Sequence, residues 1–235
     1  MKTLHTTMAV LLTVFCAAWA KQDIVKSPNI VGYMKYTLPP NAGHLLLGVN
    51  WGAMGAEPCL RDIVKVEQLR AAPTADQADK VLFLNAKTGK YETYAVCSED
   101  NEFYARDQWL RKPANPSMPR GSGFWIESAP GSTEPSIIMI SGEVVEGPLV
   151  KLNPKSKMKI IANTYPADVS VQRLVEPYKP HAGDEVAFFT GHGYEMYTLG
   201  DDGRWSHVQT RKAPPSVDEG AAIWLLPAER PAKKR

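Results

Sequence analysis

Residues 116–125 have the sequence PSMPRGSGFW, and residues 215–224 have the sequence PSVDEGAAIW. Proline, serine, glycine and tryptophan occur at the same offsets in both stretches, without a gap. The matched pairs are Pro116 and Pro215, Ser117 and Ser216, Gly121 and Gly220, and Trp125 and Trp224. This match indicates an internal duplication, in which shared residues mostly build the scaffold and function lies where the copies differ.

The similarity extends towards the N-terminus of each stretch through five earlier features in the same order. They are an apolar opening strand, a second apolar strand ending near an asparagine, an acidic residue before a third strand, a tyrosine-containing strand and a lone tryptophan. We align residues 30–33 with 140–143, Asn50 with Asn163, Asp79 with Asp184, 91–94 with 194–197, and Trp109 with Trp205. The repeated unit is therefore about 100 residues long, well above the length of a solenoid repeat.

Short apolar runs bounded by Gly, Pro, Asn and Asp are typical of all-β folds. We therefore predict a mainly β protein made of two pseudo-symmetric antiparallel β repeats, with a short helix in the first. The predicted segments are a signal peptide (1–20), an N-terminal lead (21–28), β repeat 1 (29–130), a linker (131–138), β repeat 2 (139–229) and a basic disordered tail (230–235).

Two local patterns give more detail. Residues 81–84 and 91–96 predict a hairpin, in which Gly89 supplies the positive φ that a short hairpin loop needs. Apolar residues at helical spacing predict the helix over 58–71, and copy two keeps a shorter version over 169–175. Gly121 and Gly220 are expected to adopt a backbone conformation that a side chain would disfavour.

Residues 1–20 have the composition of a secretory signal peptide. Lys2 supplies a positive start, residues 8–18 are mostly apolar, and Ala18-Trp19-Ala20 fits the small-x-small cleavage pattern. We therefore expect an exported protein, located in the periplasm, on the outer surface or outside the cell. The apolar run is too short to span a bilayer, and no transmembrane segment is predicted in the mature chain.

Cys59 and Cys97 are the two cysteines outside the predicted signal peptide. In an exported chain this number suggests one disulfide. It would close a loop of about 38 residues and stabilise the fold by roughly 3–4 kcal/mol. Two free thiols are the alternative.

The charge and the polar residues indicate few kinds of chemistry. The formal net charge is +2, with no basic stripe, which argues against a nucleic-acid partner. The histidines outside the signal peptide, at positions 44, 181, 192 and 207, lack metal-binding spacing. Carboxylates are scattered through the sequence, so we predict no catalytic, cofactor-binding or metal-binding residue.

Aromatic residues are the remaining indication of a ligand. Exposed tryptophan and tyrosine can stack on sugar rings or contact proteins. Trp125, Trp224, Trp109 and Trp205 are matched across the copies and are expected to lie in the core. Trp51 is matched only by Tyr165, and Tyr104 has no counterpart. We therefore predict that Trp51 and Tyr104 belong to a ligand surface, together with the insertion 52–74 and the loop 98–115.

Taken together, these features resemble a family of two-copy exported proteins from Verrucomicrobia and related bacteria. The resemblance is carried by Val31-Gly32-Tyr33, Leu38-Pro39, 46–50, 78–81, Tyr91 to Tyr94, Trp109, 121–126 and the SGEVV sequence at 141–145. The chain departs from the family pattern at 83–85 and 119–121. The resemblance implies an exported protein, and it brings no activity or catalytic residue with it.

The sequence favours a non-catalytic structural or binding module of the cell envelope or extracellular space. Its expected partner is a cell-surface glycan or an envelope protein, and no cofactor is expected. The alternative is a secreted hydrolase acting on polysaccharide or peptide, because carboxylates that are distant in sequence can meet in space.

Overall fold

A computed structural model describes residues 31–52, 57–85, 88–143 and 158–229. The predicted signal peptide (1–20), N-terminal lead (21–28) and basic tail (230–235) lie outside the described residues. Within the described parts, the chain forms twelve β-strands and two short α-helices.

The strands of repeat one are β1 (Val31–Leu38), β2 (His44–Gly48), β3 (Lys80–Asn85), β4 (Lys90–Val96), β5 (Phe103–Ala105) and β6 (Gly123–Glu127). The last five of them form an antiparallel sheet with the strand order β2-β6-β3-β4-β5. Strands β3 and β4 form the predicted hairpin, and Gly89 has the predicted positive φ of 68°.

The strands of repeat two are β7 (Ser136–Glu143), β8 (Lys159–Ala162), β9 (Glu185–Phe189), β10 (Tyr194–Leu199), β11 (Trp205–His207) and β12 (Ala222–Leu226). The last five of them form a second antiparallel sheet with the strand order β8-β12-β9-β10-β11. Each strand has the same place in its sheet as its counterpart in repeat one. The predicted mainly β fold with two antiparallel repeats is therefore confirmed.

Strands β1 and β7 lie outside both sheets and pair with each other. Their antiparallel register runs from Val31 opposite Glu143 to Leu38 opposite Ser136, and it places Gly32 opposite Gly142. Strand β7 begins inside the segment predicted as a linker. Its side chains Ile138 and Ile140 pack into the core of repeat one.

Both helices are short. Helix α1 spans Leu60–Ile63 and helix α2 spans Val171–Val175. The prediction of a helix over 58–71 is wrong in length, because Val64 is already extended, with φ −117° and ψ 120°. Leu60, Ile63 and Val64 are all buried, so one helical turn is enough to place this apolar segment in the core.

Strands β6 and β12 close the two sheets. Alternate side chains of each strand point into the core of its own repeat and into a cluster shared by both repeats. In β6, Phe124 and Ile126 point into the core of repeat one, and Ile223 and Leu225 of β12 do the same in repeat two. The intervening tryptophans point the other way, because successive strand residues face opposite sides of a sheet. They meet in a third apolar cluster between the sheets, formed by Leu46, Trp125, Ile160, Ala162, Ala187, Ala222 and Trp224.

Backbone hydrogen bonds also join the two repeats in matched pairs. The Gly48 N–H donates to the Gly220 carbonyl at 2.8 Å, and the Ala162 N–H donates to the Gly121 carbonyl at 2.9 Å. Gly121 and Gly220 have φ values of 85° and 69°, as predicted. A side chain would strain the backbone at both glycines.

Backbone hydrogen bonds of this kind also show that the sequence match between Asn50 and Asn163 is wrong. The Val49 N–H donates to the Ser122 carbonyl, and the equivalent bond in repeat two runs from the Asn163 N–H to the Ala221 carbonyl. Asn163 therefore corresponds to Val49, and the match with Asn50 is wrong by one residue. Asn163 is one residue beyond the end of β8, whereas Asn50 is two residues beyond the end of β2.

A second match is wrong for a similar reason. Val96 pairs with Phe103 in repeat one, and Leu199 pairs with Trp205 in repeat two, so Trp205 corresponds to Phe103. Trp109 lies beyond β5, where its indole N–H donates to the Pro73 carbonyl at 3.0 Å. Trp205 is buried as expected, whereas Trp109 is only partly buried.

One buried carboxylate in each repeat fastens the end of the closing strand. Asp79 accepts hydrogen bonds from the N–H groups of Ala129 at 2.6 Å and Arg70 at 2.8 Å. Asp184 accepts from Ala228 at 2.9 Å and His181 at 2.8 Å. The acidic residue shared by the two copies therefore has a structural role.

Candidate functional site

Trp51 lies inside the molecule, on the paired glycines of β1 and β7. Only 5% of its surface is exposed. A Cβ atom at Gly32 would lie 2.5 Å from the Trp51 Cζ3 atom, and one at Gly142 would lie 2.5 Å from its Cβ atom. The indole fits because both positions lack side chains. In this structure the Trp51 ring is therefore packed against the backbone rather than presented to a ligand.

Tyr104 is also buried, with 6% of its surface exposed. Its hydroxyl donates to the Asp100 carboxylate at 2.7 Å, and its ring packs on Trp109 with 5.6 Å between the centroids. These contacts order the start of the 98–115 loop. Trp51 and Tyr104 lie in separate parts of repeat one, and neither presents an open ring face.

Cys59 and Cys97 are both free thiols, so the structure lacks the predicted disulfide between them. The backbone of Cys59 bridges to Ser117, whereas that of Cys97 bridges to Ala72. Cys97 follows directly after β4 and is completely buried. The cysteines thus belong to different strand pairings, and the alternative of two free thiols matches the structure.

A thiol titration checks this arrangement. We expect a chain that begins at Lys21 to release two thiols per molecule when it is unfolded without reductant. In the native protein Cys97 should react slowly, because a buried thiol is inaccessible to the reagent. A Cys97→Ala variant should release one thiol. Fewer than two thiols from the unfolded wild type would contradict the structure.

An open groove in repeat one is the best-defined candidate site. Residues 91–94 of β4 form one side, 105–108 form the other, and 112–116 form an end. The volume is about 860 Å³. Small-ligand sites typically enclose roughly 300–1,000 Å³, so the groove has room for several sugar rings or a short peptide. It lies against the 98–115 loop in which the sequence analysis placed the ligand surface.

The polar centre of the groove is a carboxylate held by two neutral donors. The Asn85 amide donates to Glu92 Oε1 at 2.5 Å, and the Tyr94 hydroxyl donates to Glu92 Oε2 at 2.7 Å. The Asn85 hydrogen bond, followed by the one from Tyr94, lowers the pKa of Glu92. Burial and the bond to Glu92 raise the pKa of Tyr94. At neutral pH the groove therefore holds a fixed anion beside a neutral phenol.

The rim of the groove carries charges of both signs. Asp107 lies close enough to Tyr94 to raise the pKa of its hydroxyl further. Arg106 forms an exposed ion pair with Asp76 at 2.8 Å, and Lys112 is exposed at the end. Tyr91 precedes Glu92 on β4 and turns its ring to the opposite face of the strand, where its hydroxyl accepts a hydrogen bond from the Trp125 indole at 3.1 Å. This lining suits a ligand with many hydroxyl or amide groups.

One difference between the repeats, Ala105 in place of His207, determines whether the space beside the tyrosine is open. Tyr94 pairs with Ala105, and the equivalent Tyr197 pairs with His207. The His207 ring packs edge-on against Tyr197 at 5.2 Å, and its Nδ1 atom accepts hydrogen bonds from the N–H groups of Gln209 and Thr210. A methyl group thus occupies the position in repeat one that an imidazole fills in repeat two.

Ala105 and Asp107 lie in the predicted 98–115 loop but were not singled out as site residues, and Glu92 was not predicted at all. Glu92 has a counterpart, Glu195, which accepts the Tyr197 hydroxyl at 3.0 Å, so the duplication made it look like scaffold. The difference between Ala105 and His207 would have been visible in a correct alignment. The incorrect match of Trp109 with Trp205 concealed it.

The described residues contain no cluster of three or more His, Cys, Asp or Glu side chains that could hold a metal ion. None of the helices in the described ranges is long and apolar enough to cross a membrane.

No family model, curated protein or solved structure matches this chain.

Proposed function

We propose that this chain is an exported, non-catalytic binding module that holds a hydroxyl-rich ligand, a glycan strand, in the groove of repeat one. The observation that carries the proposal is the opening beside Tyr94, where Ala105 replaces the imidazole of repeat two. The resemblance to exported repeat proteins of Verrucomicrobia and related bacteria is part of the same proposal and agrees with it.

The groove offers the contacts that sugars use. The Glu92 carboxylate accepts hydrogen bonds from hydroxyl groups, and its own donors, Asn85 and Tyr94, keep it oriented. Gln108 adds a neutral polar group on the other side of the groove. Direct hydrogen bonds to these polar groups favour binding without chemical change.

Exchange of the two copy-specific residues tests the proposal. Ala105→His fills the groove of repeat one with the side chain that repeat two already accommodates. We expect it to weaken binding to isolated envelope polysaccharide at least about tenfold, through lost contact area and lost access to Glu92. Calorimetry and co-sedimentation with insoluble polysaccharide provide the measurement.

His207→Ala is the matched control, because it changes the equivalent position of the other repeat. It should leave binding unchanged, and circular dichroism should show that both variants fold. Equal losses in the two variants would rule out a specific site in repeat one. Failure of the wild type to bind polysaccharide or peptidoglycan would remove the glycan version of the proposal.

A hydrolase is the second candidate, because Glu92 and Asp107 both line the groove. Glycosidases pair a general acid of raised pKa with a second carboxylate. Glu92 has its pKa lowered instead, so it does not fit the acid role. We expect no release of reducing ends by the wild type. Release that is abolished in Glu92→Gln would favour the hydrolase.

A further inference from the structure

Strand β7 is bonded along both of its edges, whereas β1 is bonded along one. One edge of β7 pairs with β1. On the other edge of β7, the Met139 N–H donates to the Gln68 side chain at 2.9 Å. Further along that edge, Glu143 and Gly52 exchange hydrogen bonds between their N–H and C=O groups at 2.9 and 3.2 Å. Strand β1 has no second neighbour among the described strands.

The free edge of β1 presents the backbone of alternate residues. Met139 and Glu143 direct their N–H groups away from β1, and Met139 is opposite Lys35 in the register. Bonded and non-bonded pairs alternate along an antiparallel ladder, so Lys35 directs its N–H and C=O away from β7, and Tyr33 and Thr37 do the same. No described residue bonds to these backbone groups. The edge from 33 to 37 is about 17 Å long.

The side chains along this edge are exposed, so a partner can reach it from solvent. Tyr33 is 72% exposed, and Lys35 and Thr37 are also exposed. Ile137 and Met139 of β7 continue the same exposed face. A row of unpaired N–H and C=O groups is a template for pairing with another strand.

A strand added to this edge would meet different charges on its two faces. Side chains directly opposite each other in an antiparallel pair lie on the same face. On the outer face, Lys35 forms no ion pair with a described carboxylate. On the inner face, burial, followed by the negative charges of Glu219 and Asp218, raises the pKa of Tyr36 to about 12. The outer face therefore favours an anionic side chain, and the inner face favours a cationic one.

We propose that β1 binds an extended peptide of a partner protein as an additional antiparallel strand, with an acidic residue opposite Lys35 and a basic residue opposite Tyr36. Free strand edges capture peptides through backbone hydrogen bonds, and the contacts of alternate side chains supply selectivity. This peptide site is independent of the proposed glycan groove, which lies beside β4.

The surroundings of β1 favour a peptide over a second folded copy of the chain. Tyr36 and Pro39 line one side of a groove of about 470 Å³ between the repeats. Pro215, Ser216 and Asp218 of repeat two line its other side. A single extended segment fits beside this wall, whereas the strand of a second copy would bring its own repeats against it. The expected occupant is therefore a linear segment.

Two peptides of equal composition test the site on the chain that begins at Lys21. Ac-Val-Lys-Glu-Val-Tyr-NH2 places its Glu opposite Lys35 and its Lys opposite Tyr36, and Ac-Val-Glu-Lys-Val-Tyr-NH2 reverses the two charges. Binding is followed through the backbone amides in ¹⁵N–¹H NMR spectra. We expect saturable shifts at Tyr33 and Lys35, slower hydrogen exchange at the Lys35 amide, and about fivefold weaker binding of the reversed peptide.

Methylated peptides separate backbone pairing from side-chain contact. When the peptide Glu is opposite Lys35, the Glu and Tyr nitrogens of the first peptide face β1, and its Lys and second Val nitrogens face away. Methylation of the Glu and Tyr nitrogens should weaken binding at least about tenfold, because it removes two strand hydrogen bonds. Methylation of the Lys and second Val nitrogens is the matched control and should weaken binding less than about threefold.

Two variants at position 35 make the same separation on the protein. Lys35→Ala removes the charge and keeps the N–H, whereas Lys35→Pro removes both on a free edge, where a strand tolerates proline. Lys35→Pro should bind the first peptide at least about fivefold more weakly than Lys35→Ala. Lys35→Ala should also discriminate less between the two peptides than the wild type does. Circular dichroism checks that both variants fold.

Three outcomes would overturn the proposal. The first is the absence of saturable shifts at millimolar peptide, and the second is equal binding of the two methylated peptides. The third is a wild type that sediments as a dimer and becomes a monomer in Lys35→Pro, because the edge would then pair with a second copy of the chain.

Discussion

Replacing Trp51 with alanine is expected to lower the free energy of unfolding by about 3–5 kcal/mol, the usual range for a buried tryptophan. The indole covers the glycine pair Gly32 and Gly142 on one face of the β1–β7 pair, where the glycines have no side chains of their own to fill the space. Its removal leaves a cavity against bare backbone. Urea unfolding followed by circular dichroism measures the loss.

Tyr33→Ala is the matched control for this substitution. Tyr33 is adjacent to Gly32 on the opposite face of β1 and is 72% exposed, so its loss should change stability by less than about 0.5 kcal/mol. Gly32→Ala gives a further check. Its methyl group would clash with the Trp51 ring, so it should be destabilising in the wild type and much better tolerated in the Trp51→Ala variant. Additive effects of the two changes would contradict the packing.

Replacing Asp79 with alanine is expected to destabilise the chain by about 3 kcal/mol. Two backbone N–H groups, from Arg70 and Ala129, lose their charged acceptor and are left without replacement. Hydrogen bonds to charged groups each contribute roughly 1.5–3 kcal/mol, and orphaned buried donors add a penalty. Asp184→Ala should have a similar effect, because His181 and Ala228 lose the same support.

Asp76→Ala serves as the control for the buried carboxylates. Asp76 lies three residues from Asp79 and forms an exposed ion pair with Arg106, so a change within about 0.5 kcal/mol is expected. Thermal and urea unfolding of the three variants give the comparison. If Asp79→Ala were as stable as Asp76→Ala, the hydrogen bonds from Arg70 and Ala129 to Asp79 would not contribute to the free energy of unfolding.

The repeated closing segment predicted the duplication, and the short apolar runs between turn residues predicted the mainly β class. Glycine at 121 and 220 and tryptophan at 125 and 224 have the same roles in both sheets, because both copies need the same turn and the same buried strand. The sequence did not predict that Trp125 and Trp224 are buried together in one cluster between the sheets. A strand pattern shows which side chains share a face, but it does not show which sheet covers that face.

The candidate site was largely hidden from the sequence. Trp51 was selected because its only match in copy two is a tyrosine, but its position is explained by packing on Gly32 and Gly142, which are distant from it in sequence. The groove depends on Ala105, a small residue that provides space rather than a functional group. A sequence pattern shows which functional groups are present. An opening that results from a small side chain can be predicted only when the strand register is known.

The pairing of β1 with β7 has a consequence for the order of events during synthesis. The core of repeat one contains Ile138 and Ile140, which follow its own last strand along the chain. A nascent chain that has emerged only as far as residue 130 contains the complete first sheet but leaves one part of its core uncovered. The first half therefore finishes folding only after the start of the second half has left the ribosome, even though domains generally fold in order from the N-terminus.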